Sequence, residues 1–183
     1  MMDNARFRRL TATFMAALLS HGAALAATQG TLGANSTGSV AIGASVPNRV
    51  QITNLADVSF TNQDPATAAA NAQNVCVWSN TSTKGYNVTA TGSGAASAFT
   101  LANGALTVPY SVEWAGTSGQ SSGTALTKGT ALTGLTSVAT NATCSSGASS
   151  SASLIVKIST ASLQTMQAAT SYTGTLTLVV APE

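Results

Sequence analysis

Apolar and small polar residues alternate along several stretches of this chain, the period of a β-strand that buries one face. Leu154, Val156 and Ile158 fall on one side of such a run and Ser153 and Lys157 on the other, with Ile155 the exception, placed for contact with a second layer. Leu176, Leu178 and Val180 repeat the pattern near the C-terminus. Residues 49–55, 75–79, 85–91 and 108–114 are predicted as further strands, because clusters of Gly, Ser, Asn and Thr punctuate the chain between them. Asn103-Gly104 predicts a hairpin, since a two-residue type I′ turn needs positive φ at both positions and these residues tolerate it. Centred there, the hairpin sets Leu101 opposite Leu106 and Phe99 opposite Val108.

Helical periodicity is absent over any long stretch. The alanine-rich residues 161–168 and 66–72 favour one helical turn each, by propensity alone. Many short strands with turn signals between them predict an all-β sandwich rather than a βαβ arrangement. Residues 116–134, rich in Ser, Gly and Thr, read as a long loop or a ragged edge strand within that domain.

The alternation nearest the N-terminus poses a different problem. From residue 32 to 46 the even positions are Leu32, Ala34, Ser36, Gly38, Val40, Ile42, Ala44 and Val46, and the odd ones are small or polar. The last half reads as a one-faced strand. Pro47 breaks the ladder before Val50 and Ile52 begin another. Two strands running almost end to end cannot fold back in a tight hairpin, so the apolar face of the first needs a partner elsewhere in the domain or in another molecule.

Ahead of it stand Arg6, Arg8 and Arg9, an apolar run at 10–19 and the small-x-small sequence Ala24-Leu25-Ala26. These are the parts of a secretory signal peptide, residues 1–26. Its apolar run is too short to cross a bilayer, and no stop-transfer pattern follows, so no membrane insertion is expected after cleavage. The formal net charge of +2 belongs to this leader. Beyond it Arg49, Lys84, Lys128 and Lys157 balance Asp57, Asp64, Glu113 and Glu183, which leaves no basic surface for nucleic acid. Leu, Ile, Val and Phe make up only about a fifth of the remainder, so the core is expected to be thin.

Candidate chemistry is sparse. The one histidine, His21, lies in the leader, which removes the usual general base and metal ligand. Cys76 and Cys144 are the only cysteines, and export places them where a disulfide persists. Asp57 and Asp64 lack the spacing of a calcium loop, and Glu113 is read as facing solvent from its strand. Neither an enzyme nor a cofactor or metal site is expected. Trp78, Tyr86, Tyr110, Trp114 and Tyr172 are assigned to core or disulfide packing, Trp78 lying on the same side of its strand as Cys76. An exposed sugar-stacking platform is the alternative for these rings.

The exported sandwich, the alternating extension, the single cysteine pair and the ending Tyr-x-Gly-x-Leu-x-Leu-x-Val, Tyr172 to Val180, together resemble subunits of chaperone–usher pili. The likeness is to the archaic and alternate-chaperone types, related to spore-coat-U-like domains. Its pieces run in similar order: the extension 38–46, Val58-Ser59-Phe60, residues 75–91 with their cysteine, Val108-Pro109-Tyr110 and the C-terminal strand. The resemblance implies an immunoglobulin-like sandwich, residues 48–183, lacking its last strand and completed by a donor strand from the extension, residues 27–47. Val40, Ile42, Ala44 and Val46 would be the donor side chains, with Leu32 adding reach. Val50, Ile52, Leu176, Leu178 and Val180 would line the acceptor groove, and Glu183 would carry the terminal carboxylate gripped by a chaperone. The implied partners are pilin subunits, a periplasmic chaperone and an outer-membrane usher. The implied destination is a cell-surface fimbrium, reached through the periplasm. A monomeric exported sugar- or surface-binding adhesin is the competing expectation.

Overall fold

The computed structural model describes residues 26–183. The leader predicted at 1–26 therefore lies outside the described residues, but for its last position. The chain divides between Val46 and Pro47 into two units.

In the first unit Thr28 and Ser39 exchange two backbone hydrogen bonds, 2.8 and 2.9 Å long, which close the residues between them into a loop. Leu32 sits on that loop, fully exposed, rather than in line with the residues that follow. Residues 40–46 carry no ladder, and Val40, Ile42 and Val46 are 70%, 92% and 81% exposed.

The second unit is built almost wholly of antiparallel strands. They are β1 (Val50–Thr53), β2 (Ala69–Ser79), β3 (Gly85–Gly92), β4 (Thr100–Asn103), β5 (Leu106–Pro109), β6 (Ser111–Ala115), β7 (Thr124–Ala125), β8 (Ala131–Thr136), β9 (Ala152–Ile158) and β10 (Leu176–Pro182). A short helix, α1 (Thr160–Gln164), follows β9, its first turn capped by the Ser159 hydroxyl, which accepts from the Ser162 amide. Five strands form one sheet in the order β1-β2-β9-β6-β7, three form a second in the order β10-β3-β8, and β4 and β5 make a separate hairpin. The Asn80 side chain accepts from the Arg49 amide and donates to the Pro47 carbonyl at 2.9 Å, which fixes the chain's entry into β1.

The sheets share one core. Alternate residues of β2 (Val75, Val77), β6 (Val112, Trp114) and β9 (Leu154, Val156, Ile158) meet Tyr86, Val88 and Ala90 of β3. At its centre the Trp114 indole N–H donates to the Tyr86 hydroxyl at 3.2 Å, with the rings edge to face and 6.5 Å apart. Such a pair adds about 0.5–1.5 kcal/mol beyond the area it buries. Burial raises the Tyr86 phenol above its ordinary pKa, although the Trp114 bond acts the other way.

On the opposite face of β2, Cys76 is joined to Cys144 across 6.0 Å between Cα atoms, and Trp78 packs against the pair. On the chain-entropy argument, closing a loop of 68 residues stabilises the fold by about 4.4 kcal/mol.

Several expectations are corrected. The hairpin pairs Asn103 with Leu106 and Leu101 with Val108, one step from the predicted register, so its turn residues are Gly104 and Ala105. Only Gly104 has a positive φ, +57°, which fits a turn with glycine first rather than a type I′ turn. The shift turns Leu101 and the buried Val108 to the same side and stacks Phe99 on Tyr110 at 5.7 Å. The strand predicted at 108–114 is broken at Tyr110: Pro109 cannot donate to a ladder, and the chain leaves the hairpin there for the five-stranded sheet. The helical turn predicted at 66–72 gives way to β2, because residues from Ala69 onward pair with β9 and tertiary pairing outweighs alanine's propensity. Residues 116–134 are neither wholly loop nor one strand, since they contain β7 and the start of β8. Glu113 does face away from the core but is half-buried, bridged to Lys157 at 2.7 Å. Ile155 is fully buried on that same outer face, with Ala72 and Glu113 as its cross-strand neighbours.

Candidate functional site

The three-stranded sheet leaves part of the five-stranded sheet open. β10 is an edge strand: β3 pairs it along one side, and among the described residues no ladder is formed along the other. Beside it lies a cleft of about 1270 Å³. Its floor is the inward face of β9, where Leu154, Val156 and Ile158 are buried. Leu176 and Leu178 form one wall, preceded by the segment that leads into β10. The opposite wall is the segment after β1, from which Val58 and Phe60 turn inward onto the core.

Local backbone chemistry explains both walls. β1 stops at Asn54, whose φ of +63° turns the chain out of the sheet, a conformation asparagine tolerates better than most residues. The Asn54 side chain then donates to the Ser149 carbonyl at 3.2 Å. On the other side Gly174 allows a close approach to β4, since a Cβ there would lie 2.9 Å from the Thr100 carbonyl oxygen. Two residues earlier the Tyr172 hydroxyl accepts from the Gln167 amide at 3.1 Å, tying down the turn that follows α1. The Tyr-x-Gly of the C-terminal motif thus sets the course of the chain into β10.

The residues predicted for an acceptor groove divide. Leu176 and Leu178 line the cleft. Val50, Ile52 and Val180 are half-buried against the core and lie outside its lining. Glu183 stands at the far end of β10, where its carboxylate accepts from the Gly134 amide at 2.8 Å and its own amide donates to the Gly85 carbonyl at 3.1 Å. Sequence reasoning missed the contributions of Leu101, Leu163 and Met166, which come from the hairpin and from α1 with the turn after it. Leu101 was legible as a hairpin residue but not as part of this cleft, and the only signal for Leu163 and Met166 was apolar character in a stretch without strand alternation. Val58 and Phe60 were visible as an alternating pair, yet no ladder holds them.

Asp57 is the acidic residue in the lining, and no basic side chain joins it. Among the described residues no three His, Cys, Asp or Glu side chains lie together in a way that would hold a metal ion. No helix among them is long and apolar enough to cross a membrane. Trp114, Tyr86 and Tyr110 are buried, so their rings do not form an exposed stacking face. What the cleft offers is a trough with an apolar floor and mixed polar rims, bounded on one side by the open edge of β10. An extended peptide with one apolar face has the complementary form. No protein-family model matches this sequence, and no curated protein matches it.

Proposed function

We propose that this chain is a structural subunit of a surface pilus that polymerises by donor-strand exchange, with an incomplete immunoglobulin-like sandwich as its acceptor. The observation that carries the reading is the coincidence of an open cleft with an apolar floor and the unpaired edge of β10. Strand order supports it. In an immunoglobulin constant-type sandwich, strands A, B, E and D form one sheet and C, F and G the other. β1-β2-β9-β6 follow the order A-B-E-D, with β3 and β10 in the places of C and F. The missing G strand would then run along the free edge of β10.

The occupant we assign to that place is residues 38–46 of a second copy or a related subunit. Val40, Ile42, Ala44 and Val46 share one face of that segment and are exposed. The stretch from 40 to 46 matches the 7 residues of β10. Backbone bonds to β10 supply affinity, and each large side chain seated in the trough contributes about 1.5–3 kcal/mol. Before assembly a periplasmic chaperone occupies the same edge, and an outer-membrane usher directs the exchange. The adhesin alternative depends on exposed aromatic faces, and burial of the three central rings speaks against it.

The test uses the full exported chain. Wild type is expected to form multimers that survive detergent without boiling, and Ile42→Asp is expected to abolish them, leaving monomer. A synthetic peptide of residues 38–46 should be captured by chain lacking 27–46. If that truncated chain melts cooperatively at high temperature with no peptide bound and captures none, the reading fails.

A further inference from the structure

Inward positions of β2 run Ala69, Asn71, Gln73, Val75, Val77, so two polar residues occupy core-facing places at one end of an otherwise apolar face. Gln73 is half-buried and lines the cleft. Its side-chain oxygen accepts from the Ala56 amide at 2.7 Å, and its side-chain nitrogen donates to the Ala56 carbonyl at 3.0 Å. One side chain thereby reproduces the pair of bonds that a neighbouring strand would exchange with Ala56. Among the described residues, these two bonds are the only hydrogen bonds that tie residues 55–63 to any other element.

We infer that Gln73 is a positioning residue, a latch that sets where the wall carrying Val58 and Phe60 stands and so how firmly the cleft retains an inserted strand. The inference rests on the strand-accepting function proposed above. Its logic is geometric. Val58 and Phe60 follow Ala56 by two and four residues, on a segment with no ladder of its own. Release of Ala56 frees the wall to move away from β10, and an inserted strand then loses side-chain contact on that side. The latch also occupies both backbone groups of Ala56, so an inserted strand meets them already satisfied and pairs along β10 instead.

The experiment measures how fast preformed multimers of the full chain dissociate in guanidinium chloride. Gln73→Ala is expected to speed dissociation about tenfold, the loss of two ordinary hydrogen bonds. Gln73→Glu keeps the shape, and its carboxylate accepts from the Ala56 amide but repels the carbonyl it can no longer donate to. A protonated carboxyl again has one donor and one acceptor, so this variant is expected to be fast at pH 7 and to return toward the wild-type rate as pH falls below about 4.3. Asp57, beside Ala56, is the acidic side chain in the lining, so wild type and Gln73→Ala are measured at each pH as references.

Dissociation of Gln73→Ala at the wild-type rate overturns the latch. So does a Gln73→Glu defect that protonation leaves unchanged, because it would mark a general packing loss. Should Gln73→Ala fail to fold, the pH response of Gln73→Glu decides alone. Absence of multimers in wild type removes the assembly reading, and the latch with it. Wild-type multimers that ignore both substitutions remove the latch only.

Discussion

The two ends of β2 are finished in opposite ways. At the end occupied by Val75, Val77 and Ser79 every core-facing side chain is buried, and where β9 stops, the Ser151 hydroxyl takes over its ladder. That hydroxyl accepts from the Val77 amide and donates to the Val77 carbonyl, both at 2.8 Å, and Ser137 donates to the same carbonyl. At the other end the inward residues turn polar, no strand runs beside β2 on the β1 side, and Gln73 holds the passing chain by its side chain alone. Both ends satisfy a backbone pair with one side chain. The first does so under a sealed core, and the second at the rim of an open cleft. The difference teaches that this domain is closed by its own residues on one side and left open on the other.

Substitution effects should follow that division. Trp114→Ala, at the sealed core, is expected to cost about 3–5 kcal/mol in a urea titration, because it empties a large fully buried site and orphans the Tyr86 hydroxyl. Leu178→Ala, at the cleft wall, removes a half-buried side chain, and about 1 kcal/mol is expected for the subunit alone, since only the area it actually buries is lost. Its larger effect should appear in the yield of detergent-resistant multimers. Equal costs at the two sites in isolated subunits would erase the contrast between sealed and open ends.

The smallest effect concerns the outer face of the sealed sheet. The Lys157 ammonium, bonded to the Glu113 carboxylate at 2.7 and 2.8 Å, holds that carboxyl below its usual pKa, with burial opposing and the Gly123 amide assisting. A carboxyl lowered by folding stabilises the fold above its unfolded pKa, and that contribution disappears as pH falls through the folded value. For a half-exposed pair about 0.5–1 kcal/mol is at stake. Lys157→Met should flatten this part of the acid-side stability curve, measured by denaturant titration from pH 7 downward, and should leave multimer formation unchanged.

Much of this fold was legible because period-two alternation is local. Leu154, Val156 and Ile158 faced the core as their spacing implied, and Leu176 and Leu178 pointed into the cleft. The hairpin shows where local rules stop. Asn103-Gly104 favoured one turn, but pairing Leu101 with the buried Val108 required the next register, and Asn103 instead donates from its side chain to the Ser171 carbonyl at 2.8 Å. Alanine at 66–72 carried no information about a partner strand, so only its pairing with β9 could make it β.

By itself the sequence determined an all-β chain and one disulfide, since these follow from side-chain period and cysteine number. Only the tertiary structure decided which edge is left unpaired, which side chains wall the cleft, and that Gln73 anchors one wall. Those outcomes depend on contacts between residues far apart in the chain, and alternation says which face is apolar without saying what lies opposite it.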